Sequence, residues 1–259
     1  MASLSGRASI RFYAELNDHL PPEQRQKTLE KSFFVPGTIK DVIESFGVPH
    51  TEVELIVVNG ESVPFSYMVR DGDRIAVYPV FESFDIAGEL RVRPQPLRES
   101  KFILDVHLGK LSAYLRMLGF DALYGNANRD DELVRISVEQ QRILLTRDRG
   151  LLRHSAVTHG YFVRHTESRQ QLAEVVRRFD LARSFRPFAR CMACNTLLEP
   201  APKKQLEATL PPQVAASFEE FRRCPQCGRI YWEGSHYRRM QRWVNELVAE
   251  CPGTKLADP

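Results

Sequence analysis

The chain has 259 residues, 43% of them hydrophobic and 27% charged, which is ample for two domains with separate cores. No run is long and apolar enough for a membrane span, and the opening Met-Ala-Ser-Leu-Ser-Gly-Arg lacks the apolar centre of a secretory signal, so a cytoplasmic protein is expected. The formal net charge of +3 hides an asymmetry: residues 1–90 hold eight Lys or Arg against fourteen Asp or Glu, and residues 183–242 hold eleven against five.

In chain order, Ala8, Ile10 and Phe12 alternate as a strand, and Lys31 to Val35 reads as a second. Thr38 to Phe46 is a predicted helix with Thr38 as N-cap, Asp41 completing a capping box and Gly47 as the stop. Val53 to Val58 leads through Asn59-Gly60, a hairpin turn, into a short piece. Asp71-Gly72-Asp73 then turns into Arg74 to Val80. This order, with Val-Asn-Gly-Glu and Asp-Gly-Asp-Arg-Ile-Ala-Val-Tyr-Pro in matching places, resembles the α+β ubiquitin-like β-grasp of small sulfur-carrier proteins over residues 7–82. A sulfur carrier needs a free C-terminal Gly-Gly, whereas this chain runs on through Pro79-Val80-Phe81-Glu82-Ser83-Phe84. A binding or positioning role, with a protein partner, is therefore expected of residues 1–83, followed by a stiff linker over 84–99 containing Pro94 and Pro96.

From Lys101 to Leu152 the chain alternates strand and helix. Phe102, Ile103 and Leu104 precede Asp105, and Ile143, Leu144 and Leu145 precede Thr146 and Asp148, runs suited to strands buried on both faces of a parallel sheet. Both aspartates then stand at carboxyl ends of strands, where open α/β sheets bind ligands. Between them lie a helix with Leu108, Leu111, Leu115 and Leu118 on one face, ended by Gly119, a short apolar piece from Phe120 to Tyr124, and a helix carrying Leu133, Val134, Ile136 and Val138 with Asp130 as its N-cap. Asp130, Asp131 and Asp121 are candidates to join Asp105 and Asp148. Clustered carboxylates repel one another unless a hard cation such as Mg²⁺ or Mn²⁺ sits among them, and such a site activates water against a phosphodiester. The competing reading is that each aspartate is a cap or a turn former.

The run Ile-Leu-Asp-Val-His-Leu-Gly-Lys-Leu-Ser-Ala-Tyr-Leu-Arg-Met-Leu-Gly-Phe-Asp, with Asp-Asp-Glu-Leu and Arg-Ile-Leu-Leu-Thr-Arg-Asp-Arg-Gly-Leu after it, resembles the PIN-like ribonuclease domain named from the C-terminal part of the mut-seven exonuclease, over residues 100–245. The resemblance implies an α/β fold and a metal-dependent ribonuclease acting on RNA, single-stranded or structured as in tRNA. Asp105, Asp130 and Asp148 take the acidic positions, with Asp131 as the alternative in the middle and Thr146 beside them. Lys110, Arg147 and Arg149 are candidates to steady phosphates. A non-catalytic RNA-binding or protein-interaction adaptor with a degenerate acidic site is the alternative.

Downstream, Tyr161 to Val163 is a further strand and Ser168 to Phe179 a helix with Leu172, Val175, Val176 and Phe179 on one face. Cys191-Met-Ala-Cys194 and Cys224-Pro-Gln-Cys227-Gly228 form two knuckles whose four thiolates suit tetrahedral, structural Zn²⁺. Pro211 to Phe221 reads as a helix begun by proline. In the basic, aromatic stretch from Arg229 to Met240, Trp232 is expected in the core and His236, Arg238 and Arg239 are candidates to grip RNA. The expected division is 100–185 nuclease, 186–245 zinc ribbon and basic segment, and 246–259 tail.

Overall fold

The computed structural model describes residues 6–35, 37–79, 100–125 and 129–249. The expected linker at 84–99, the end of the tail and Cys251 lie outside these residues. The elements are β1 (Gly6–Phe12), β2 (Thr28–Phe33), α1 (Ile39–Ser45), β3 (Val53–Val58), β4 (Glu61–Ser62), β5 (Arg74–Pro79), β6 (Phe102–Leu104), α2 (Gly109–Met117), β7 (Ala122–Tyr124), α3 (Asp130–Glu139), β8 (Ile143–Thr146), α4 (Arg149–Leu152), β9 (Gly160–Phe162), α5 (Ser168–Arg178), β10 (Glu199–Pro200), α6 (Pro212–Ser217), β11 (Arg222–Arg223), β12 (Ile230–Tyr231) and α7 (Ser235–Ala249). They gather into two compact units, residues 1–99 with 130–162 and residues 100–129 with 163–259.

In the first unit, the N-terminal strands form a mixed sheet in the order β2-β1-β5-β3-β4, with β1 and β5 parallel at its centre. The inward residues Ala8, Ile10, Phe12, Ile56, Ile75 and Val77 pack with Ile39 and Ile43 of α1 into one core. Helix α1 starts where the sequence signals it should: the Thr38 side chain accepts the Asp41 N–H, and the Asp41 carboxylate accepts the Thr38 N–H. Asn59 at φ 54° and Gly60 at φ 97° make the β3–β4 turn, with Val58 opposite Glu61. Strand β2 departs from expectation, because it starts at Thr28 and stops at Phe33, leaving Phe34 and Val35 more than 70% exposed.

The same unit holds α3 and the parallel pair β8–β9, with Leu144 opposite Gly160 and Thr146 opposite Phe162. Asp130 begins α3 instead of capping it, so Asp130 and Asp131 both lie in the first turn, where the helix dipole favours negative charge. The buried face of α3 is Leu133, Val134 and Ser137, while Val138 points outward. The Ser137 hydroxyl stays satisfied there by donating to the Arg142 carbonyl at 2.9 Å.

The second unit pairs β6 and β7 in parallel, with Phe102 opposite Ala122 and Leu104 opposite Tyr124. Helices α2 and α5 pack together over it. Phe102 lies edge-on to both Phe120 and Phe179, and Phe120 edge-on to Phe185. Gly119, at φ 96°, ends α2 against the following chain, where a Cβ would collide with the Arg186 carbonyl oxygen. Strands β10, β11 and β12 form a small antiparallel sheet around the cysteines. Helix α6 is six residues, shorter than expected, because Phe218 and Phe221 leave the helix to pack with Leu206 and Leu210 in a small cluster of the insert. Trp232 is only partly buried against that cluster. Helix α7 runs to Ala249, across the expected start of the tail.

Candidate functional site

In the first unit, β8 delivers Thr146 and Asp148 at its carboxyl end. Thr146 is fully buried, and its hydroxyl oxygen accepts the Asp148 backbone N–H at 2.9 Å. That bond fixes the turn from which the exposed Asp148 side chain caps α4, its Oδ1 accepting the Gly150 N–H at 2.7 Å. The other carboxylate oxygen of Asp148 takes no hydrogen bond among the described residues. Arg149 is only partly free to meet a substrate: its guanidinium lies 4.9 Å from the Phe162 ring centre and donates to the His19 carbonyl at 3.4 Å. Phe162 ends β9 beside Thr146, and its N–H donates to Glu52 Oε1 at 2.8 Å. Glu52 Oε2 meets His19 Nε2 at 2.9 Å, both side chains fully buried. His50 adds a further bond, from Nε2 to the Val157 carbonyl at 2.9 Å. The sequence carried no signal for this pair, because His19 and Glu52 each end a short 3-10 helix with no motif around it. Arg147 is half-buried, and Asp130 and Asp131 are exposed in the first turn of α3.

In the second unit, β6 delivers Asp105, buried to 5% exposure, whose Oδ1 accepts the His107 N–H at 2.8 Å and caps the short turn Val106–Leu108. Lys110 is exposed one turn further on. Tyr124, which the sequence did not single out, ends β7 beside Leu104 and donates its hydroxyl to the Val106 carbonyl at 3.0 Å. Asp121 does not share the edge that holds Asp105. In a parallel pair with Phe102 opposite Ala122, Asp121 falls at the amino end of β7, and it accepts the Asn195 side-chain amide at 2.7 Å.

The four cysteines converge as their spacing predicts. Their sulfurs all lie within 4.8 Å of one another, with Cys191 and Cys227 at 3.6 Å and Cys194 and Cys224 at 3.3 Å. The two knuckles are built alike. In each, the backbone N–H of the residue after the second cysteine returns to the carbonyl of the first, from Asn195 to Cys191 at 2.9 Å and from Gly228 to Cys224 at 3.0 Å. Both residues need a left-handed backbone, Asn195 at φ 74° and Gly228 at φ 73°. Asparagine is among the few side chains that tolerate this region.

Gathering four thiols without a cation spreads their acidities apart. Burial pushes the Cys194 thiol up, but hydrogen bonds from Thr196 and the neighbouring sulfurs outweigh it and bring it down to about 6. The Arg229 backbone bond lowers Cys227, yet burial and the other three thiols push it up to about 12. A tetrahedral sulfur set of this kind suits Zn²⁺.

The first knuckle is bolted to the helix and strand beneath it. Arg116, 4% exposed, donates from Nε to the Ala122 carbonyl at 2.8 Å and from Nη1 to the Met192 and Ala193 carbonyls at 3.1 and 2.8 Å. Burial lowers its pKa, and the charges of Cys191 and Cys194 oppose that shift. Asn195 Oδ1 accepts the Ala122 N–H at 3.0 Å. After the second knuckle, Tyr231 reaches Cys191 Sγ at 3.1 Å. Helix α7 then buries Val244 and Leu247 and lays Trp243 edge-on against Tyr114, with Arg169 over its ring. His236, Arg238 and Arg239 are exposed.

The model of the Mut7-C RNase domain matches residues 100–244 of this chain. The chain belongs to the Mut7-C RNase family. A second model, Mut7-C ubiquitin, matches residues 6–85 and coincides with the N-terminal β-grasp sheet. No curated protein matches the chain. The Mut7-C RNase match supports a nuclease or RNA-related role, the ubiquitin-like domain suggests protein interaction, and the four cysteines suggest a zinc site. Among the described residues, no helix is long and apolar enough to cross a membrane.

Proposed function

We propose that the protein is a metal-dependent ribonuclease in which Asp105 and Asp148, with Asp130 or Asp131, hold a Mg²⁺ or Mn²⁺ ion. The observation that carries this reading is that Asp105 and Asp148 each follow the carboxyl end of a strand in a parallel pair, β6 with β7 and β8 with β9, in a chain of the Mut7-C RNase family. When bound, the ion supplies charge neutralisation and water activation for in-line attack on a phosphodiester. The chain's own part is positional. Thr146 fixes the Asp148 turn through its backbone bond, and the His107 N–H holds one oxygen of Asp105 in place. Lys110 and Arg147 meet phosphate charge, while Arg149 is held by Phe162 and His19 and serves mainly to set the edge of the turn. The four cysteines hold a structural Zn²⁺ that fixes the ribbon, from which His236, Arg238 and Arg239 reach RNA. The compartment we propose is the cytoplasm, where thiols stay reduced.

One observation favours the adaptor reading: Asp105 and Asp148 each cap a turn, which is a sufficient structural reason for both. Purified protein incubated with mixed RNA separates the two. The ribonuclease reading expects cleavage that needs added Mg²⁺ or Mn²⁺ and stops in Asp148→Asn. Unchanged cleavage in that variant, or binding without cleavage under any divalent ion, replaces it with the adaptor.

A further inference from the structure

The outer face of the N-terminal sheet carries side chains that the proposed nuclease chemistry does not use. Along β1 the residues Ala8, Ile10 and Phe12 face the core, so Arg7, Ser9 and Arg11 face outward. Strand β5 runs parallel beside it, with Ser9 opposite Arg74 and Arg11 opposite Ala76. Continuing that register by two residues puts Tyr13 beside Tyr78. Their rings are stacked, 4.4 Å between centres and 15° between planes, and the Arg11 guanidinium lies 5.4 Å from the Tyr13 ring centre.

Beside this stack is a cleft of about 220 Å³ lined by Arg11, Phe12, Tyr13, Ala14, Asn17 and Gln26. Its wall is built by the buried Asn17, whose amide donates to the Phe12 and Ala14 carbonyls at 2.9 and 3.0 Å and whose oxygen accepts the Gln26 N–H at 2.6 Å. These bonds hold Ala14 at φ 46° and Gln26 at φ 57°, a left-handed backbone that non-glycine residues adopt only when the surroundings impose it. Among the described residues, the Gln26 side-chain amide makes no hydrogen bond, and Arg7, Arg11 and Arg74 make no ion pair. The cleft is smaller than the 300–1,000 Å³ typical of sites for drug-sized ligands, so what it holds is no larger than a small ring system.

A stacked tyrosine pair, a guanidinium that makes no ion pair and an amide that makes no hydrogen bond, beside a small cleft, are the complement of a nucleotide. The ring stacks, the amide reads a base edge and the cation meets a phosphate. We infer that Arg11, Tyr13, Tyr78 and Gln26 form a nucleotide-stacking site that holds one base of single-stranded RNA. The inference rests on the ribonuclease reading for the identity of the nucleic acid, and it turns the β-grasp domain from a spacer into part of the substrate grip.

The test uses the full-length chain. Affinity for a fluorescein-labelled uridine hexamer is measured by anisotropy in the Asp148→Asn background, and the same hexamer carrying 5-bromouridine is photocrosslinked and the adduct mapped. The expected result is a loss of about tenfold in affinity in Tyr13→Ala, a similar loss in the exposed Arg11→Glu, and an adduct on Tyr13 or Tyr78. Arg11→Glu guards against misfolding, because its side chain supports no core contact. Affinities within twofold of the parent in both variants, with adducts confined to residues 222–249, overturn this site while leaving ribonuclease activity in place. A parent chain that neither binds nor cleaves RNA overturns both readings.

Discussion

The Glu52 carboxylate accepts the Phe162 backbone N–H at 2.8 Å, so a residue of the ubiquitin-like domain satisfies the end of a strand of the RNase domain. Its second oxygen is committed to His19, and neither side chain of that pair has any exposure. Removing one partner of such a buried pair strands the other, at a cost of about 3–5 kcal/mol. Glu52→Ala is therefore expected to lower stability by that amount in urea denaturation, and to accelerate hydrogen exchange at Phe162 selectively.

The same contacts bear on truncation. From sequence, residues 1–83 are expected to bind or position a partner, with no part in holding the RNase domain together. His50 bonded to Val157, Glu52 to Phe162, and Arg149 to His19 argue that removal would uncover β9 and the turn carrying Asp148. Deletion of residues 1–82 is expected to give a chain with faster exchange across residues 143–162 and reduced solubility. Unchanged exchange there would mean that the RNase domain folds independently of these contacts.

The zinc site makes a separate prediction. Metal analysis of protein purified without chelator is expected to find one zinc per chain, lost in the Cys224→Ser, Cys227→Ser double variant. Metal removal should also unfold the ribbon, because the two buried sulfurs would otherwise face their neighbours without a counter-ion.

Arg116 ties that ribbon to the RNase core. Its three carbonyl partners come from β7 and the first knuckle, and a lysine offers one compact charge that does not span them. Charge-assisted bonds of this kind contribute about 1.5–3 kcal/mol each and are not additive. Arg116→Lys is expected to lower the melting temperature nearly as much as Arg116→Ala, and both should speed zinc transfer to a coloured chelator. Melting and transfer rates equal to the parent's in Arg116→Lys would mean that charge alone suffices.

What the sequence made legible was local. The capping box at Thr38, the turn at Asn59-Gly60, the apolar strands before Asp105 and Asp148, and the cysteine spacing each depend on neighbours within a few positions, and each stands where it was read. What it hid depends on contacts distant along the chain. Asp121 reads as one more acid of the cluster until the parallel register puts it at the other end of β7, braced by Asn195. Arg116 reads as one polar position in a leucine-patterned helix, yet it is buried and committed to backbone carbonyls 76 and 77 residues away. Helix α6 stops at Ser217, and Phe218 and Phe221 beyond it pack against Leu206 and Leu210, contacts that the local pattern does not encode.

The dual duty of Asp148 gives the sharpest prediction about the candidate active site. Its Oδ1 caps α4 through the Gly150 N–H, a task that an asparagine oxygen performs equally well, whereas holding a divalent ion requires the negative charge. Asp148→Asn is therefore expected to keep its stability within about 0.5 kcal/mol of the parent, since good caps are interchangeable at that level. Asp148→Ala loses the cap as well and should fall by about 1 kcal/mol. Activity is expected to separate differently: both variants drop by at least about 100-fold, the scale on which removing one preorganised charge-stabilising group acts. Urea denaturation and RNA cleavage measured on the same three proteins read the two roles independently. Cleavage that tracks stability, near parental in Asp148→Asn and reduced only in Asp148→Ala, would assign Asp148 to the cap alone. The catalytic charge would then have to come from other carboxylates.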